Sequence, residues 1–155
     1  MREIELRVTG ANKKIRGNVI LEDVSLTMHS GKICGLQGSN GSGKTMLMRA
    51  ICGLIRLDSG SVSVSGKVLG KDMAFLENTG ILIESPAFLN GYTGLQNLMY
   101  LADIQKRVGR EEVRKTLTRV GLDPDDKRKF RKYSLGMKQR LGIAAAIMEK
   151  NEILL

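Results

Sequence analysis

Residues 2–8, REIELRV, alternate strictly: Ile4, Leu6 and Val8 face one way and Glu3, Glu5 and Arg7 the other. Period two is the signature of a half-buried strand. DVSLTM repeats the alternation with Val24, Leu26 and Met28, and SVSVSGKVL does so with Val62 and Val64. Together these segments predict an antiparallel β layer. KICGLQ and GILIE are more continuously apolar, as expected of strands covered on both faces. Between them, TMLMRAICGLI spaces Leu47, Ala50, Ile51 and Leu54 as one helical face, which Gly53 and the Asp58-Ser59-Gly60 turn bring to an end.

From Leu95 to about Lys132 the pattern becomes helical and polar. LQNLMYLADI and REEVRKTLTRVGL each carry an apolar stripe, and Asp123-Pro124 breaks the second from the basic segment after it. This predicts a small helical subdomain inserted between core strands. SLGMKQRLGIAAAIMEK predicts a further helix starting near Ser134, and EILL begins another buried strand. No internal repeat or low-complexity linker interrupts the chain.

The 155 residues suit one domain with a small insert, and a 42% hydrophobic content suffices for a core. Three Phe, three Tyr and no Trp make that core aliphatic. The net charge of +9 is divided about evenly between the two halves. Such a balance suits nucleic acid, an anionic membrane surface or a polyphosphate ligand, and equally a merely solvated basic surface. KRKFRK, Lys127 to Lys132, sets five cations around Phe130. That segment reads either as an anion-binding patch with a stacking aromatic or as a solvated electropositive face, and the second is favoured. Cys34 and Cys52 lie in apolar stretches and are expected as reduced core thiols. With His29, which precedes a Ser30-Gly31 turn and is expected at the surface, they do not make a zinc site. MREIELRV lacks a signal-peptide core and LGIAAAIM is too short to span a bilayer. The chain is therefore not expected to cross a membrane by itself.

Gly38-Ser39-Asn40-Gly41-Ser42-Gly43-Lys44-Thr45 carries the chemistry. Gly-x4-Gly-Lys-Thr between an apolar strand and a helix is the phosphate-binding loop pattern. Its glycines let successive N–H groups turn inward at phosphate oxygens, and the helix beginning near Lys44 adds a partial positive charge. Lys44 is placed to reach the β- and γ-phosphates, and the Thr45 hydroxyl to bind Mg²⁺. The expected ligand is a nucleoside triphosphate.

YSLGMKQRLGIAAAIM, Tyr133 to Met148, resembles the signature segment of ABC-type ATPases, in which Ser-x-Gly is followed by Gln-Arg and a small-residue helix. With the phosphate loop upstream and the helical insert between, the resemblance covers essentially the whole chain. It implies an α/β fold: a P-loop core with a mixed or parallel sheet, an antiparallel β layer and an inserted helical subdomain. Residues 1–94 would hold the P-loop core and β layer, 95–133 the helical subdomain, and 134–155 the signature helix and the start of the next core strand. It also implies a head-to-tail dimer with a second ATP-binding domain. Gly38 to Thr45 would hold ATP and Mg²⁺ in cis, while Ser134, Leu135, Gly136, Met137 and Gln139 would face the ATP of the opposite subunit.

Departures from the family pattern narrow the comparison. Leu135 and Met137 stand where the signature commonly has Gly and Gln. Glu84, in GILIESPAF, takes the place of a Gln that contacts Mg²⁺ and the attacking water; the alternative is a solvated carboxylate at a strand end. This variant looks like the ATPases of bacterial exporters for bacitracin and lantibiotic self-protection. In place of the aromatic that stacks on adenine, KKIRGNVIL offers only Ile15 and Arg16, whose guanidinium can lie on a base.

The family's Asp-Glu pair and switch His come after a run like EILLL, so residues 1–155 alone are expected to hydrolyse no ATP. The resemblance implies an ATP-binding exporter subunit, peripheral on the cytoplasmic face of the membrane through separate permease subunits. Nucleic acid is not expected as a partner. The rival reading is a non-transport ABC ATPase acting on nucleic acid or ribosomes; an unrelated P-loop kinase is opposed by the signature segment.

Overall fold

In a computed structural model, which describes residues 3–155, the alternating segments near the N-terminus pair into one antiparallel sheet of order β2-β1-β3-β4. β1 is Glu5–Ile15, β2 Asn18–His29, β3 Ser59–Val64 and β4 Lys67–Val68. Leu6 lies opposite Val64, and Val8 lies opposite both Val62 and Leu26. The register therefore gathers Leu6, Val8 and Val62 into the core. Arg16 (φ 50°) and Gly17 (φ 83°) join β1 to β2, both left-handed, as the twist of a two-residue hairpin requires. The predicted start of the first strand at Arg2 lies outside the described residues.

α1 (Lys44–Ile51) buries Leu47, Ala50 and Ile51 as the spacing predicts. Leu54 lies beyond its end and is exposed. With the sheet, α1 belongs to a first unit, Met1–Glu77.

KICGLQ departs from the expectation. Residues 32–37 form no strand and are exposed, Ile33 fully so. A continuously apolar segment becomes a strand only where neighbours satisfy its N–H and C=O groups and cover both faces. Among the described residues no strand pairs with it. Cys34 is exposed with it, contrary to its placement in the core, whereas Cys52 is buried as expected.

The second unit, Asn78–Leu155, holds the helical pattern. α2 (Gly94–Gln105), α3 (Arg110–Arg119) and α4 (Leu135–Ile147) pack around Leu98, Val113, Leu117 and Leu141. β5 (Thr79–Gly80) and β6 (Ile153–Leu154) form a two-stranded parallel sheet. GILIE therefore contributes only Gly80 to a strand, and Ile81 is exposed. Beyond it, Leu82 N–H still donates to the Leu155 carbonyl at 2.6 Å. Among the described residues no helix is long and apolar enough to cross a membrane.

Candidate functional site

The phosphate loop is shaped by its own backbone and lysine. Gly43 is the N-cap residue of α1, at φ 87° and ψ 1°. A Cβ there would lie 2.5 Å from the Ile20 carbonyl oxygen and 3.1 Å from Leu21 Cδ2. Conformation and close approach to β2 thus both demand glycine. Lys44 turns back over the loop and donates from Nζ to the carbonyl oxygens of Gly38 (2.8 Å) and Ser39 (2.7 Å). Ser42 N–H donates to the Ser39 carbonyl at 3.2 Å, closing the turn.

No side chain caps α1 and its first turn holds no acidic residue, so its N-terminal N–H groups and partial positive charge stay available to an anion. This donor set (one ammonium, a helix N-terminus and exposed serine and threonine hydroxyls) fits a polyphosphate. Ser39, Asn40, Gly41, Ser42 and Thr45 are exposed. Arg16 belongs to the same unit, exposed at the tip of the β1–β2 hairpin.

The remaining predicted site residues belong to the second unit. Ser134 is the N-cap of α4, and its Oγ accepts from Met137 N–H at 3.3 Å. Leu135, Gly136 and Gln139 are exposed at the start of that helix, whereas Met137 packs against the helical core. A Cβ on Gly136 would meet nothing within 4 Å. Glu84 is exposed in a bend after β5. Among the described residues no group of three or more His, Cys, Asp and Glu gathers as a metal site.

The basic segment has no stacking aromatic to offer. Phe130 is buried, edge-on to Phe88 at 5.3 Å, and Lys138 Nζ lies 5.2 Å from its ring centroid. A side chain holding the core together cannot also stack on a base. Arg128 pairs with Asp126 at 2.8 Å and holds that carboxyl below its usual range. His29 is a surface residue, 3.8 Å from Glu3.

The loop after Glu84 is held by residues that periodicity alone does not reveal. Asn97, buried within α2, accepts from Leu89 N–H (2.8 Å) and donates to the carbonyls of Leu89 (3.2 Å) and Thr93 (3.0 Å). Thr93 and Gln96 form a reciprocal capping box at the start of α2, legible as Thr-x-x-Gln. Tyr133 Oη accepts from Gly94 N–H at 3.2 Å. Burial raises the phenol pKa above its ordinary value.

A glycine loop that opens a helix and is closed over by its own lysine is the arrangement of the phosphate-binding loop ATPases. A family model described as "ABC transporter" matches residues 21–155, and the chain belongs to that family, whose members bind ATP. It is 44% identical over 150 residues to the uncharacterized ABC transporter ATP-binding protein YybJ of Bacillus subtilis, covering 97% of this chain and 69% of the relative. It is 37% identical over 154 residues to the bacitracin transport ATP-binding protein BcrA of Enterococcus faecalis (99% and 50%). With the lantibiotic transport ATP-binding protein SrtF of Streptococcus pyogenes it shares 31% over 150 residues (97% and 64%). The chain thus spans between half and about two thirds of the length of these relatives.

Proposed function

We propose that the chain is the ATP-binding part of a bacterial ABC exporter that couples ATP binding and hydrolysis to the outward movement of peptide antibiotics. The Lys44 ammonium held over the Gly38–Ser39 carbonyls carries the ATP-binding half of this reading, because it sets a fixed positive charge at the mouth of a glycine loop. The relatives named for bacitracin and lantibiotic transport support the choice of cargo. Gly38 to Thr45 hold the triphosphate, with Thr45 and Glu84 on Mg²⁺ and Arg16 against the base. Ser134 to Met137 and Gln139 act on the ATP of a second ATP-binding domain across a head-to-tail interface. Residues 1–94, 95–133 and 134–155 divide these tasks as P-loop core, helical subdomain and signature segment.

Separate permease subunits hold the protein on the cytoplasmic face of the membrane. Hydrolysis is assigned to the intact protein and not to residues 1–155 alone. An attacking water needs a carboxylate base in line with the γ-phosphate, and Glu84 stands at the family's metal-contacting position instead.

Sedimentation of the full-length protein with a non-hydrolysable ATP analogue and Mg²⁺ tests the reading. Wild type is expected to dimerise only with nucleotide, Lys44→Ala to lose both binding and dimerisation, and Ser134→Ala to retain binding but associate weakly. Undiminished dimerisation of Ser134→Ala would remove the trans role.

A further inference from the structure

Two segments of the second unit are stitched together along their length. Phe130 N–H donates to the Tyr92 carbonyl at 2.8 Å and Arg131 N–H to the Asn90 carbonyl at 3.3 Å. A side-chain bond adds to these: Gly94 N–H donates to Tyr133 Oη. A Cβ on Gly94 would lie 2.6 Å from that same Oη but 3.4 Å from Cζ and from Leu141 Cδ1. Gly94 is not in a left-handed conformation. Its lack of a side chain serves space alone, and the space is that of the phenol oxygen. Tyr133 is 6% exposed, and its ring lies 5.9 Å from that of Phe130. Asn97 fixes the other edge by holding Leu89 and Thr93.

The residue after Tyr133 is Ser134, whose Oγ caps α4. Residues 89–94 continue the loop that begins after Glu84. The Gly94–Tyr133 contact therefore ties the start of α2 to the residue directly before the serine.

We propose that Tyr133 and Gly94 form a latch that positions Ser134, so that a displacement of the 84–93 loop is passed to the signature hydroxyl through the phenol and not through Ser134's own contacts. Tyr133 is a positioning residue, since it acts through its neighbour. The functional consequence rests on the proposed trans role of Ser134; the latch itself rests only on the geometry. Burial and packing hold the phenol in place: the Tyr133 ring lies against Phe130, which is itself edge-on to Phe88. The N–H it receives is an otherwise uncapped first-turn donor of α2, which the Thr93 hydroxyl does not reach because it bonds to Gln96.

Two measurements on the full-length protein test the latch: hydrogen exchange at the Met137 amide, which reports the Ser134 cap, and association driven by a non-hydrolysable ATP analogue. Tyr133→Phe keeps the ring and removes one hydrogen bond, and is expected to speed Met137 exchange and weaken association by about 2- to 12-fold, the range of one hydrogen bond. Affinity of the monomer for the analogue is expected to be unchanged. Gly94→Ala is expected to do more harm on both readouts. Combining it with Tyr133→Phe is expected to recover most of that loss, because removing the oxygen makes room for the methyl. Unchanged Met137 exchange in Tyr133→Phe, or a double variant worse than Gly94→Ala alone, would overturn the latch. Faster Met137 exchange with association indifferent to both Tyr133→Phe and Ser134→Ala would uphold the latch and overturn the trans role instead.

Discussion

Lys44 folds back over its own loop so that its ammonium lies 2.8 Å from the carbonyl oxygen of Gly38, six residues earlier. The charge is thus held at the loop by backbone oxygens. Lys44→Ala is expected to weaken Mg·ATP binding by about 1.5–3 kcal/mol, the scale of hydrogen bonds to a charged group. Titration calorimetry reads this directly; equal affinity in wild type and variant would contradict the loop's assignment.

Gly43 and Gly136 are both glycines in predicted ATP-contacting segments, and they are expected to respond oppositely to alanine. At Gly43 the left-handed φ and the nearby Ile20 oxygen mean that a methyl strains the loop. A loss of about 1–3 kcal/mol in chemical denaturation is expected, together with loss of nucleotide binding. At Gly136 the methyl meets open space inside α4. Stability there is expected to hold or rise by about 0.5–1 kcal/mol, while ATP-dependent association falls.

Asp58 supplies an acid-sensitive tie between β1 and the start of β3. Its carboxylate accepts from Lys13 Nζ at 2.7 Å and from Lys14 N–H at 2.6 Å, and the Lys13 bond, with the Lys14 bond behind it, holds its pKa below the ordinary value. Asp125 is likewise lowered by Arg114. A carboxyl depressed in the folded state stabilises above its unfolded pKa, and that contribution is lost as pH falls through the folded value. The thermal midpoint is therefore expected to drop as pH falls below about 4. Asp58→Asn is expected to lower the midpoint at neutral pH and to flatten the acid limb. An acid limb identical to wild type would remove Asp58 from the account.

The two cysteines are expected to separate by reactivity. Burial pushes the Cys52 thiol up to about 11, so at pH 8 only about one molecule in a thousand carries the thiolate. Cys34 is exposed. Iodoacetamide followed by peptide mass spectrometry should label Cys34 in the native protein and Cys52 only after denaturant is added.

Short-range chemistry is legible along the chain. Alternation placed Leu6, Val8 and Val62 on one face of an antiparallel layer. The helix start near Ser134, and the apolar stripes that become α1, α2 and α3, were legible for the same reason: start signals and periodicities are written within a few residues of one another. The Gly43-Lys44-Thr45 run likewise announced a loop opening a helix. Tertiary structure decided whatever depends on a distant neighbour. KICGLQ and GILIE are apolar enough for buried strands, yet a strand exists only where another lies beside it, so residues 32–37 stay exposed and GILIE keeps only Gly80 within a strand. Phe130, set among five cations, turns inward because Phe88 and Tyr133 offer it aromatic contacts. Gly94 looks like an ordinary helix-start residue until the phenol of Tyr133, 39 residues away, is found in the space a side chain would need.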